Sequence, residues 1–160
     1  MKISKIFYLS GGISLFGNKD FEKSNEWRKD IKCKIENISN GKVVCFNPND
    51  HFNFIDTDLY ESQKEIMEYE LYKIRKADCI IVNFNHPGSI GTACELSVAH
   101  ELKIPIIGLC ENGEEKLLHP WLKEFCSRIF TDREELILYI MKNFAVDYWQ
   151  KLTVKEKGEL

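Results

Sequence analysis

Five short apolar runs, each followed by a longer segment of helical period, leave few folds open to this chain. The runs cover residues 5–9, 42–46, 79–84, 105–109 and 128–131, and the helical segments cover residues 25–38, 59–77, 90–102, 120–126 and 133–150. A strand and a helix alternating five times imply a doubly wound, all-parallel five-stranded sheet with helices on both faces. For five strands the expected order is 2-1-3-4-5, which puts a ligand at the carboxyl ends of strands 1 and 3, where the winding reverses. Strand 1 runs out at Tyr8-Leu9-Ser10-Gly11-Gly12 and strand 3 at Asn83 to Ser89, so these two stretches are the first place to look for chemistry.

The 160 residues suit one domain, expected over residues 1–152, with a polar tail over residues 153–160. A hydrophobic content of 44%, 29% charged residues and a net charge of −3 give no general attraction for a nucleic acid polymer or an anionic membrane, so the expected partner is a small molecule. The 6 cysteines are widely spaced, with no Cys-x-x-Cys pair and no histidine at zinc-ligand spacing. Cys45, Cys79 and Cys110 fall in apolar runs and read as buried free thiols of a reducing cytoplasm. The apolar residues 6–16 are interrupted by Gly-Gly and lack a clear cleavage site, and no stretch approaches the ~20 apolar residues of a membrane span. A cytoplasmic protein is the expectation.

Two glutamates break the helical pattern. On a 3.6-residue wheel Glu95 shares its stripe with Ala99 and Leu102, nearly opposite Ser97, His100 and Glu101. Glu70 falls in the stripe of Met67, Leu71, Ile74 and Ala77, while Glu65, Glu68, Lys73 and Lys76 lie off it. Charged side chains are seldom buried without partners, so two carboxylates aimed at the core beside one strand suggest a use. Paired carboxylates suit glycosidic-bond cleavage, one meeting an oxocarbenium-like centre and the other handling the leaving group's proton. The bland readings are that Glu95 offsets a helix dipole at the surface and that Glu70 reaches out to solvent.

Other residues carry weaker signals. Gly11-Gly12 cradles a phosphate or sugar, or merely turns the chain, since neither a Walker A sequence nor Gly-x-Gly-x-x-Gly is present. Ser89 caps the helix that follows strand 3, or binds a ligand at that helix's N-terminus, or does both. Tyr8, taken by itself, reads as a core aromatic. His51, His86, His100 and His119 form no ligand set and read as structural or exposed.

Taken together, Phe7-Tyr8-Leu9-Ser10-Gly11-Gly12, Trp27-Arg28, and Ala77-Asp78 followed by Gly88-Ser89-Ile90-Gly91-Thr92-Ala93-Cys94-Glu95-Leu96 resemble the nucleoside 2-deoxyribosyltransferase family. The resemblance spans residues 3–130 and is most specific in the Gly-Thr-Ala-x-Glu-Leu segment. It implies a flavodoxin-like sheet, in agreement with the strand count. It also implies that Glu95 is the nucleophile attacking C1′ of a 2′-deoxynucleoside, that Tyr8 orients it, and that Glu70 exchanges a proton with the base. Glu70 stands where the family has an aspartate, one methylene shorter. The implied substrate contacts are Ser89, Gly11, Gly12, Gly91, Asn85, Arg28 and Arg128, and neither cofactor nor metal is implied.

Three functions follow as expectations. The first is transfer of deoxyribose between nucleobases through a glutamyl adduct. The second is hydrolysis of a 2′-deoxynucleoside 5′-monophosphate. It resembles the related N-glycosidases in having Ser89, where typical transferases carry an aspartate that would repel a phosphate, and Arg128 is placed to meet such a phosphate. The third is a nucleotide-sensing module without turnover, which the fold by itself does not separate from the others. Ile137, Leu138, Ile140, Met141, Phe144, Tyr148 and Trp149 offer more apolar surface than one sheet face needs, so a homodimer or an assembly of dimers is expected.

Overall fold

The computed structural model describes residues 4–13, 18–52 and 62–145. Its strands are β1 (Lys5–Gly11), β2 (Val43–Phe46), β3 (Cys79–Asn83), β4 (Ile106–Leu109) and β5 (Arg128–Phe130). They form one sheet, every pair parallel, in the order β2-β1-β3-β4-β5. The helices are α1 (Asn18–Ile38), α2 (Gln63–Ile74), α3 (Ile90–Glu101), α4 (Pro120–Phe125) and α5 (Arg133–Phe144). Both the expected order and the alternation of elements are therefore present.

Strands covered on both faces need apolar residues at odd and even positions alike, and β3 and β4 are buried at every position. Phe7, Leu9, Cys79, Ile81, Ile107 and Leu109 point to one face, under α1 and α5. Tyr8, Ile80, Val82 and Ile106 point to the other, where Ile74 of α2, Leu96 and Ala99 of α3 and Leu122 of α4 cover them. On this second face Gly108 has no room for a side chain, because a Cβ would come within 2.9 Å of both Ile129 and Phe84.

Asp78 ties the two central strands together at their amino ends. Its Oδ2 accepts from the Ile6 N–H at 2.8 Å, its Oδ1 accepts from Lys5 Nζ at 3.1 Å, and its own N–H donates to the Ile6 carbonyl at 2.7 Å. From there β1 and β3 run in register to Gly11 opposite Asn83.

Some expectations need correction. Within α5, Leu136, Ile137, Ile140 and Met141 are fully buried by the sheet, and Phe144 packs partly against the same core. One face therefore covers most of the apolar residues of this helix that the structure describes, with Leu138 half-buried, while Tyr148, Trp149 and the boundary expected at residue 152 lie outside the described residues. Leu102 is 47% exposed because α3 ends one residue earlier, and Met67 is 48% exposed because its neighbour Ile66 takes the buried position on α2. Cys45, Cys79 and Cys110 are buried free thiols, as expected. Among the described residues no helix is long and apolar enough to cross a membrane.

Candidate active site

Side chains alternate along a strand, so Tyr8 and Ser10 leave β1 on the same face, toward α3. There they take hold of one carboxylate. Tyr8 Oη donates to Glu95 Oε1 at 2.6 Å, and Ser10 Oγ donates to Glu95 Oε2 at 2.5 Å. The Tyr8 ring is held in turn by a stack on Phe46, with centroids 5.4 Å apart, and Phe46 stacks on His51 at 4.6 Å. Glu95 reaches the pair from the second turn of α3, whose start is set by Ser89: its Oγ accepts from the Thr92 N–H at 3.3 Å and from the Thr92 hydroxyl at 2.9 Å. Buried Thr92, Leu96 and Ala99 seat this helix on the sheet and leave Glu95 at the floor of a cavity.

That cavity, of about 1250 Å3, opens beside the carboxyl ends of β1 and β3, between α2 and α3. Glu70 lines it from α2, with Gly11, Gly12, Ser89 and Gly91 around the far end. Burial, and then the neighbouring Glu95 carboxylate, push the Glu70 carboxyl up to about 8, with Arg28 pulling the other way. Burial also raises Glu95, while the hydrogen bonds from Ser10 and Tyr8 and the Arg28 guanidinium favour its ionised form. Tyr8 is held well above its ordinary value, by burial first and by the two carboxylates next, so it stays a donor. The arrangement thus holds one carboxyl gripped on both oxygens by donors that favour its ionised form, and one without such donors that burial pushes up to about 8.

Arg28 borders the cavity yet is fully buried. Its guanidinium donates to the carbonyls of Leu9 at 3.4 Å, Ser24 at 2.7 Å and Gly11 at 2.6 Å, and lies 4.7 Å from the centre of the Trp27 ring. Burial lowers it to about 10, so it remains a cation at neutral pH. The structure therefore places it as a tie on the end of β1 and a positive charge behind both glutamates, with its donors turned to the backbone. Gly11 and Gly12 are packing requirements as well. A Cβ on Gly12 would come within 2.8 Å of the His86 Cβ, and one on Gly11 would stand 3.2 Å from the Asn83 carbonyl.

Of the residues expected to contact substrate, Ser89, Gly11, Gly12 and Gly91 are brought to the cavity with Glu95 and Glu70. Asn85 and Arg128 are not among the residues that line it. Asn85 binds the loop after β4, its Oδ1 accepting from the Glu111 N–H at 3.1 Å and its carbonyl from Asn112 Nδ2 at 3.2 Å. Arg128 opens the edge strand β5 and lies over the rings of Phe130 at 4.6 Å and Tyr139 at 5.4 Å. Ser10 is the residue that sequence reasoning missed. Period two from Tyr8 was the available signal. His86, read as structural or exposed, is exposed and lines the cavity.

No family model matches the chain, and no curated protein matches it by sequence. Solved structures do. A 2-deoxyribosyltransferase from Bacillus psychrosaccharolyticus superimposes with a TM-score of 0.65 at 18% identity, over 88% of this chain and 94% of that one. The chain has the fold of these enzymes. A 2-deoxyribosyltransferase from Leishmania mexicana gives 0.63 at 16% identity, over 88% and 99% of the two chains. A CMP N-glycosidase from Clostridium botulinum gives 0.52 at 16%, over 85% and 97%. The flavodoxin-like doubly wound sheet expected from the sequence is thus shared with these neighbours nearly end to end.

Proposed function

We propose that the protein is a nucleoside 2-deoxyribosyltransferase-like enzyme, which cleaves the N-glycosidic bond of a 2′-deoxynucleoside and moves the deoxyribose to a second nucleobase. The observation that carries this reading is the Glu95 carboxylate, gripped on both oxygens at the floor of a cavity that also holds a protonated Glu70. An oxygen of Glu95 attacks C1′, the bond from C1′ to the base nitrogen breaks, and Glu70 gives its proton to the departing base. The incoming base then returns a proton to Glu70 as its nitrogen attacks C1′ and releases Glu95. Protons balance over the cycle, and the two carboxyls carry both steps without a cofactor. The 2-deoxyribosyltransferases of the same fold support this choice of substrate.

A second reading, hydrolysis of a 2′-deoxynucleoside 5′-monophosphate, is favoured by Ser89. Its hydroxyl and the first N–H groups of α3 offer an anion a neutral, donor-rich site at the cavity edge, with no carboxylate in that position. The CMP N-glycosidase neighbour is consistent with it. A pure binding module fits less well, because burying two carboxyls in one cavity is costly and binding alone gives them no use.

Incubation with thymidine or deoxyinosine plus free adenine tests the first reading, and deoxynucleoside monophosphates alone test the second. New nucleoside formed from the first mixture supports transfer. Base and deoxyribose 5-phosphate from the second shift the assignment to hydrolysis. If neither appears, or if Glu95→Ala matches the parent, the enzyme reading fails. A homodimer or assembly of dimers belongs to the same proposal, supported by Met67, Tyr72 and Ile90, exposed apolar side chains on α2 and at the start of α3. A monomer by light scattering at micromolar concentration would remove it.

A further inference from the structure

Two carboxyls that share one cavity must divide the labour, and burial does not divide it, since both are pushed up by desolvation. Arg28 does not divide it either, because its charge acts on both in the same direction. What differs is hydrogen bonding. Glu95 accepts from two hydroxyls, and Glu70 accepts no hydrogen bond among the described residues. A donor aimed at a carboxylate favours the charged form. With Tyr8 alone, Oε2 would face the cavity unheld, free to take up a proton or turn toward Glu70.

We propose that Ser10 is a positioning residue of this site: by clamping Oε2 it fixes the plane of the Glu95 carboxylate and makes Glu95, rather than Glu70, the anion of the pair. The role of that anion as nucleophile rests on the reading above; the assignment of charge does not. Ser10 is suited to the task. It is 1% exposed, so water does not compete for its hydroxyl, and it stands on a strand locked between β2 and β3. The other ionisable groups near Glu95 are Tyr8 from β1, Arg28 from α1 and Glu70 from α2, while Lys64 of α2 and His86 before α3 line the same cavity. None of them binds Oε2.

The test is a carboxyl titration of the full chain by carbon-13 NMR with labelled glutamate, using Glu95→Gln and Glu70→Gln to assign the two resonances. In Ser10→Ala the Glu95 midpoint should rise by about one pH unit and the Glu70 midpoint should fall. Ser10→Thr, which keeps the hydroxyl, should restore both. The acid limb of kcat/KM should move up with Glu95, costing Ser10→Ala activity on that limb and little above it. Unchanged midpoints in a folded Ser10→Ala, or a Thr variant indistinguishable from Ala, would overturn the proposal. Midpoints that move in a protein without turnover would uphold the charge assignment and sink the enzyme reading, so the two failures are told apart.

Discussion

Two clusters of charge sit on opposite faces of the same sheet, and they are built on opposite rules. On the α1/α5 face, Arg133 gathers Glu26, Asp30 and Glu111 at 3.0–3.1 Å, so that α1, α5 and the loop after β4 share one cation. Although burial works against it, the hydrogen bonds that Arg133 donates to these carboxylates raise it above its ordinary range. On the α2/α3 face, two carboxyls lie in an apolar cavity, one held by neutral hydroxyls and the other with no hydrogen-bond partner among the described residues. The first cluster joins elements by setting opposite charges against one another. The second takes two acidic groups out of water with no cation bound to either among the described residues, and so costs stability. Exchange of the glutamates should therefore cost activity and spare the fold, whereas exchange of Arg133 should do the reverse.

Glu95→Gln makes the strongest test. Loss of the proposed nucleophile should lower kcat/KM by about 10^4-fold or more while the melting temperature holds or rises. A fall in melting temperature with activity kept would mean the carboxylate is structural. Glu70→Gln should cost about 10^2-fold to 10^3-fold and abolish the fall in rate expected of the parent above about pH 8, where Glu70 loses its proton. Stability adds a check of sign. A carboxyl lifted from 4.5 to about 8 on folding favours the folded state fully below 4.5, and that contribution drains as pH rises toward 8. The melting temperature of Glu70→Gln should thus gain on the parent by a few degrees between pH 5 and pH 8.

The arginines should differ in kind. Arg28→Met removes a buried cation and strands the carbonyls of Leu9, Ser24 and Gly11, and should cost about 3 kcal/mol in urea unfolding. Arg133→Met should cost about 1 kcal/mol, a difference that shrinks in high salt, with turnover unchanged. If Arg133→Met instead slowed turnover as much as Glu70→Gln, the division of the two faces into joinery and chemistry would be wrong.

The sequence carried the sheet order and the two inward glutamates because both follow from period: strand and helix alternation for the first, a violated stripe for the second. Where a side chain's role depends on what it meets across the fold, period says less. Arg28 is a cation in a telling motif, and only the path of β1 shows that its donors go to carbonyls. Arg128 reads as a phosphate ligand from its place near the last strand, and only the fold shows its guanidinium over the rings of Phe130 and Tyr139. Ser10 was within reach, two residues from Tyr8, but a small hydroxyl on a strand carries no pattern of its own. It became visible only when α3 brought a carboxylate oxygen to 2.5 Å.

Asp78 stands at the other end of β3 from this chemistry, on a half-exposed ion pair of the kind that adds little to stability. Its value is alignment. Strand neighbours point to alternate faces, so a slip of β1 by one residue against β3 would turn Tyr8 and Ser10 away from Glu95 and bring Leu9 and Gly11 in their place. By binding the Ile6 amide and the Lys5 ammonium at once, Asp78 sets the zero of a ruler that is read several residues further on.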